Sequence, residues 1–389
     1  MNKRLRILAI CNYPSDTRPA HQVFVRALLN KFSALNADVT VIAPEPVWNL
    51  IRSRTGYRLP PKFEIRDGLP IHRPRYLRFS KISLPFGGST YRWGVNAYVN
   101  AVLGEVAKMQ GNFDYIYGHF LYPHGQAVAE VGAQLRIPSM ISLGESSFSR
   151  YEQTFSNQEI GQLLEQFSGV VVNSSLIKAY CAQHYGLDER RVRVFPNGVD
   201  ENLFFPHDRR KSREKFGLPA EQPLIAFTGQ FIERKGPFRV LEAIKSMPEV
   251  GAVFLGYGPQ EPQSPQVLYQ GEVAHEDVPR WLSAADIFVL PTLNEGCSNA
   301  ILEAMSCGLP VISSDLPFNH DILDEQVAIL VDPQDMEAIE QAVSVLVESP
   351  EKREEMSDAA LEHSKKFRLT NRAKNILNYL QELEVNSRN

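Results

Sequence analysis

Cysteine is scarce in this chain of 389 residues: Cys11, Cys181, Cys297 and Cys307 are the four present, and they are scattered. No Cys-x-x-Cys pair occurs, which argues against a disulfide framework and for free thiols in a reducing cytosol. Long apolar runs are missing too. None approaches the roughly 20 residues that span a bilayer as a helix. The start, MNKRLRILAI, sets basic residues before an apolar stretch, as a secretory signal does. That stretch is short, has no small-residue cleavage site and runs into the turn-forming NYPSD, so it reads as a first buried strand. No Asp-x-Asp occurs, so no metal held by that motif is expected. Gly256 and Gly258 lack a third glycine at the spacing of a dinucleotide fingerprint. No recognised nucleic-acid-binding motif stands out, which argues against a nucleic acid partner.

What is present is ordinary in amount and uneven in distribution. The 43% hydrophobic and 22% charged content is that of a soluble globular protein long enough for two domains. Residues 1–110 hold 17 Lys and Arg against 6 Asp and Glu, a balance of +11, and the remainder holds 24 against 39, a balance of −15. An N-terminal half of this sign suits an anionic membrane surface or a phosphate-bearing substrate; the plain alternative is solvated surface.

Short apolar runs alternate with helical patterns along almost the whole chain. LRILAI, DVTVIAP, YIYGHF, PSMISLG, GVVVNS and VRVFPNGVD read as strands of one set, and PLIAFTG, AVFLGYG, QVLYQGEV, DIFVLPT, PVISSD and AILVD as strands of a second. Between the strands lie segments such as HQVFVRALLNKFSAL and PFRVLEAIKSM, whose apolar residues recur at helical spacing. The fold class is therefore α/β, with parallel sheets covered by helices on both faces. The polar, charged segment DENLFFPHDRRKSREKFGLPAEQP divides the sets near 200–220, giving domains 1–200 and 201–366. Ligands of open α/β sheets bind beyond the carboxyl ends of the strands. That rule gathers TGQFIERKG, GYGPQ, LPTLNEG, GESSF and GHFLYPHG at an expected interdomain cleft.

The stretch NEGCSNAILEAMSCGLPV carries two acids, Glu295 and Glu303, around a strand-to-helix junction. SNAILEAMSCG predicts a helix of about three turns with Ser298 or Asn299 as its N-cap and Gly308 and Pro310 as its stop. Its first-turn amides would suit a phosphate. One acid before those amides and one beyond them fits a sugar–diphosphate–nucleoside: Glu295 on the sugar, set apart from the phosphate, and Glu303 on the ribose. Arg234 and Lys235 of RKG would neutralise the diphosphate. The plain alternative is a capping acid and an ordinary surface glutamate.

With these residues in place, the chain resembles the retaining nucleotide-sugar glycosyltransferases of family 4, which have the GT-B fold of two Rossmann-like domains facing across a cleft. Glu295 and Glu303 match the family's E-x7-E motif in the setting EG-x-S-N-x-x-x-E-A-M-x-x-G-x-P-V. PNGVD matches the segment joining the domains, and RKG, GYGP and ADIFVLPT match as well. The likeness runs from LRILAI to NRAKNILNYL and is strongest in the C-terminal half. It implies an acceptor domain at 1–200, a nucleotide-sugar domain at 201–366 and a helix at 367–389 returning to the first domain. It implies donor contacts at Gly229, Arg234, Lys235, Gly256, Tyr257, Gly296, Ser298, Asn299 and Glu303, with Glu295 and Lys235 catalytic.

The chain departs from the family in three places. His21-Gln22 stands where the family has a glycine, Gln230 where an arginine is common, with Arg234 to compensate, and Leu143-Gly144-Glu145 where many members have His-Gly. Glu145 or His119 then fills the catalytic place of that histidine; the alternatives are a helix-capping Glu145 and a core His119. The resemblance implies transfer of a sugar from a UDP- or GDP-sugar to a hydroxyl of a glycan or lipid-linked acceptor, in surface polysaccharide or glycolipid synthesis. It implies no cofactor and no metal, and a cytoplasmic enzyme that associates peripherally with the inner membrane face. Rival readings are a GT-B epimerase or phosphorylase, or a degenerate sugar-binding scaffold.

Overall fold

The computed structural model describes residues 4–16, 18, 22–47, 58–79, 89–145 and 147–386. The chain forms two compact units, Met1–Phe195 with Ala373–Asn389, and Pro196–Arg372.

The first unit is built on strands β1 (Leu5–Ile10), β2 (Ala37–Ile42), β3 (Glu45–Pro46), β4 (Phe63–Arg66), β5 (Leu69–His72), β6 (Arg75–Tyr76), β7 (Tyr115–His119), β8 (Ser139–Leu143), β9 (Gly169–Val172) and β10 (Val192–Val194). Eight of them form one sheet in the order β10-β9-β8-β7-β1-β2-β5-β4, while β3 pairs with β6. Every pair in the large sheet is parallel except β4 with β5. β7, β8 and β9 are buried along their whole lengths, because helices cover both faces. Strands so placed need continuous apolar side chains rather than alternation, which is how these segments read.

The second unit holds β11 (Leu224–Thr228), β12 (Gly251–Leu255), β13 (Val267–Gly271), β14 (Ile287–Leu290), β15 (Val311–Ser314) and β16 (Ala328–Val331). They form a wholly parallel sheet in the order β13-β12-β11-β14-β15-β16. The helix Leu369–Asn386 begins in this unit, where the Leu369 N–H donates to the Val199 carbonyl at 2.7 Å. From Ala373 onward it belongs to the first unit, and its Tyr379 hydroxyl donates to the Arg191 carbonyl at 2.7 Å.

Both sheets reverse their direction of growth once. β1 lies between β2 and β7, and β11 lies between β12 and β14. At such a switch point the loops leaving two adjacent strands part to opposite faces and leave a crevice at their carboxyl ends. In the second unit Gly229, Arg234, Lys235, Gly256, Tyr257 and Glu295 stand on such loops, whereas Glu145 follows β8 and Glu303 lies in the helix after β14.

The hairpin β4–β5 lies in a stretch where strand patterning predicts nothing. Its turn is Asp67-Gly68, both at positive φ (55° and 79°), the pair that suits a two-residue hairpin turn. Asp-Gly between FEIR and LPIH was the available signal.

Candidate active site

In the second unit, the loop after β11 runs through Gly229, Gln230 and Phe231 to Arg234 and Lys235, and then enters the helix Pro237–Ile244. The loop after β12 lies against it: the Phe231 N–H donates to the Tyr257 carbonyl at 2.7 Å and the Gln260 N–H to the Phe231 carbonyl at 2.9 Å. Glycine is required at 256 by this approach, since a Cβ there would stand 1.9 Å from the Gly229 carbonyl oxygen. At Gly258 a Cβ would stand 2.4 Å from the Phe231 carbonyl oxygen. The Tyr257 ring is turned outward and is 56% exposed.

The loop after β14 is laced to the same place. The Leu293 N–H and the Thr292 hydroxyl both donate to the Arg234 carbonyl, at 2.8 and 3.2 Å. The Arg234 guanidinium donates to the Asn294 carbonyl at 2.5 Å and to Glu295 Oε1 at 3.0 Å. Lys235 Nζ forms an ion pair with the same oxygen, which also lies 3.2 Å from the Thr292 hydroxyl, whose one proton it shares with the Arg234 carbonyl. Glu295, expected on the sugar side of the phosphate, bridges both cations here. Two guarded cations in a crevice seek the nearest anion, and the strand-end carboxylate is that anion.

The helix carrying the second acid is Asn299–Ser306, shorter than the three turns expected. Ser298 occupies its N-cap position but makes no capping hydrogen bond, and its buried hydroxyl oxygen has no partner among the described residues. The Asn299 side chain is not a cap either: its Oδ1 accepts from Asn197 Nδ2 at 2.9 Å. Asn197 also donates to the Cys297 carbonyl at 3.1 Å and so fixes the turn that contains the buried Gly296. The first-turn amides are therefore left without side-chain acceptors, in the state that suits an anion. Glu303 projects from this helix, partly buried and with no cation acting on it among the described residues, and burial pushes its carboxyl up to about 8.

Two residues that position this site were not singled out from sequence. Arg239 is buried and donates to Glu233 at 2.6 Å and to the Pro291 carbonyl at 2.9 Å, tying the two loops from behind. Its signal was a charge on the apolar face of PFRVLEAI. Asn197 was visible only as part of PNGVD.

In the first unit, a cavity of about 870 Å³ lies at the carboxyl ends of β1, β2, β7 and β8. Glu145 is on its wall. Oε1 accepts from the Leu121 N–H at 2.7 Å and the Tyr151 hydroxyl at 3.2 Å, while the buried Oε2 has no partner among the described residues. Burial pushes this carboxyl up to about 6 against the pull of those donors. His119 does not line the cavity. It is buried, its Nδ1 lies 3.0 Å from the Tyr117 hydroxyl, and Phe24 and Phe120 flank its ring. His119 thus has the surroundings of the buried, hydrogen-bonded alternative and is absent from the cavity wall. His124, in the same loop as LYPHG, lines the cavity instead. Leu143 is buried in the core, and His21 lies outside the described residues. Among the described residues no cluster of His, Cys, Asp or Glu is arranged to hold a metal ion.

Two doubly wound sheets, one wholly parallel and one parallel but for its edge hairpin, are the sheets of a GT-B fold. The sucrose-phosphate synthase of Thermosynechococcus elongatus superposes with a TM-score of 0.75 at 19% identity, over 98% of this chain and 100% of that one. Anabaena Alr3699/HepE, solved in complex with UDP, gives 0.72 at 18% identity over 97% and 100%. Residues 21–203 match the model of Glycosyltransferase Family 4, and residues 208–363 that of glycosyl transferases group 1. A Bacillus subtilis (strain 168) protein named for teichuronic acid biosynthesis, the glycosyltransferase TuaC, is 28% identical over 87% of this chain and 88% of its own length. The chain belongs to the family 4 glycosyltransferases and is an enzyme of the hexosyltransferase type.

Proposed function

We propose that this enzyme transfers a hexosyl group from a UDP- or GDP-sugar to a hydroxyl of a glycan or lipid-linked acceptor, with retention at the anomeric carbon. The observation that carries this reading is the convergence of Lys235, Arg234 and Glu295 beside the uncapped helix Asn299–Ser306. The incoming diphosphate displaces Glu295 from the two cations and also takes the free amides. Glu295, released, accepts hydrogen bonds from the sugar hydroxyls, and Glu303 accepts them from the ribose. The bond from the anomeric carbon to the diphosphate oxygen breaks, and one to the acceptor oxygen forms on the same face. The acceptor's proton passes to the departing diphosphate, so no separate base is needed. Charge grows on the diphosphate in the transition state, where fixed cations stabilise it most.

The acceptor belongs to the first unit, whose cavity presents Glu145. A role in surface polysaccharide synthesis draws support from the name of TuaC, and a UDP donor from the UDP bound to HepE. A cytoplasmic position at the membrane surface suits the exposed Leu77, Phe79 and Trp93 and the exposed cations Arg58, Lys62 and Arg78 of the same unit. No helix among the described residues is long and apolar enough to cross a membrane. The test is release of nucleoside diphosphate from a panel of UDP- and GDP-sugars, with and without glycan acceptors. One donor should be turned over slowly alone and faster with acceptor. If no donor is consumed, the reading fails.

A further inference from the structure

We propose that the first unit binds an amphiphilic glycoside, with the sugar in the cavity against Glu145 and Tyr98 and its apolar chain laid outward over Phe79 and Trp93. This rests on the acceptor reading above and narrows it to acceptors that carry a lipid chain.

The buried part of the cavity wall asks for hydroxyl groups. Glu145 and Tyr98 line the cavity and are only 7% and 1% exposed. Glu145 Oε2 and the Tyr98 hydroxyl have no hydrogen-bond partner among the described residues, and the side-chain oxygen of Gln22, on the same wall, is a third such atom. Water meets such groups in an open cavity, so a ligand that displaces the water must bring donors of its own. Two of the three atoms accept only, while the phenol both gives and takes. A polyhydroxylated ring answers all three. The aromatic rings of Tyr76, Tyr91 and Tyr122 stand on the remaining wall, and about 870 Å³ leaves room for more than one sugar ring.

The exposed rim has the opposite character. Phe79 lines the cavity and also faces solvent, and its ring meets the Trp93 ring edge to face, with centroids 5.9 Å apart. Trp93 is 51% exposed, and Leu77 is exposed as well. Gly94, next to Trp93, lines the cavity too, and a Cβ there would stand 3.5 Å from the Phe79 backbone nitrogen. Phe79 therefore belongs both to the cavity wall and to the apolar patch outside it. Exposed apolar side chains scattered singly are ordinary, but two aromatic rings in contact at the mouth of a polar cavity form a patch of the kind that marks a ligand groove. A free glycan leaves these rings in water. A membrane surface covers the rings and leaves their continuity with the cavity without a use. A sugar carrying an apolar chain occupies both.

The full-length protein is titrated by calorimetry with the methyl and octyl glycosides of glucose, galactose, mannose and N-acetylglucosamine, below micelle formation. No bilayer is present, so any gain from the chain comes from the protein's own surface. For at least one sugar the octyl form should bind at least about tenfold tighter than the methyl form, since each fully buried methylene adds roughly fourfold and an open patch covers only part of the chain. W93S should reduce that gain and F79S/W93S should erase it. E145Q and Y98F should each weaken the methyl and octyl forms of that sugar by a similar factor, about threefold or more. Persistence of the gain in both patch variants overturns the proposal, and W93S keeps this test open if the double variant does not fold, because the ring it removes is half exposed. Equal binding of methyl and octyl forms sinks this inference and leaves the acceptor reading standing. The same gain for every sugar, untouched by E145Q and Y98F, is detergent-like adhesion and overturns it as well. No glycoside bound by about 10 mM strikes the acceptor reading together with it.

Discussion

Replacing Glu303 with Gln isolates one buried carboxyl and reads its cost as a function of pH. Its folded-state value of about 8 stands above the ordinary 4.5, and burial is the cause. Between those values the folded protein holds a proton that the unfolded chain has released, so stability falls as pH rises through the window. Integrated from pH 5 to 8.5, the full shift removes about 4 kcal/mol, and a shift halved by the partial exposure of the side chain removes about 1–2 kcal/mol. The glutamine of the variant carries no such proton, and every other titrating group is common to both proteins. At about 2–4 °C per kcal/mol for a unit of this size, the melting temperature of E303Q minus that of wild type should rise by at least about 3 °C over this range. Thermal unfolding followed by circular dichroism at half-unit pH steps measures it. The same substitution should weaken nucleotide binding by about 1–3 kcal/mol, because a ribose hydroxyl loses a charged acceptor. Wild type should also release protons as nucleotide binds near pH 7, at most one per site, seen by calorimetry in buffers of different ionisation enthalpy. Parallel stability profiles for the two proteins would refute the reasoning.

Lys235→Ala should lower kcat by at least about a hundredfold, since the lost charge faces the leaving diphosphate, while chelator leaves wild-type turnover unchanged; full inhibition by EDTA counts against the assignment. Glu295→Gln should lower kcat and, by freeing Lys235 and Arg234 of their anion, leave UDP or GDP affinity equal or tighter; weaker nucleotide binding contradicts the bridging role. Gly256→Ala should destabilise the protein by about 2 kcal/mol or more in urea unfolding, because the new Cβ meets the Gly229 carbonyl oxygen at 1.9 Å and backbone must move; a neutral result refutes the close approach. Anionic vesicles should retain the wild-type protein at low salt and neutral vesicles should not, each cation near the surface adding about 1 kcal/mol. Arg58→Ser with Lys62→Ser should weaken that retention, and flotation free of anionic vesicles at low salt removes the membrane reading. Arg52 and Arg54, further cations of the basic stretch 1–110, lie outside the described residues.

The sequence by itself determined what depends on neighbours along the chain. Runs such as GVVV, YIYGH and IFVL are apolar without alternation because a doubly covered parallel strand buries both faces, and that local pattern carries the α/β class. The E-x7-E spacing places its two acids on either side of one helix start, which is local as well. Only the tertiary structure decided what strand order brings together. Glu295 meets Arg234 and Lys235 because β14 lies beside β11, although β12 and β13 come between them in the chain. Glu145 faces a cavity and His119 does not, since the chain after β7 turns Leu121 and His124 one way and packs the histidine ring against Phe24 from a distant helix. Asn197 occupies the Asn299 side chain from a hundred residues away in sequence, and this leaves the helix uncapped. Side-chain type and spacing say what a residue is able to bind. Which partner already holds it is fixed by contacts between strand ends far apart in sequence, and periodicity contains no term for those.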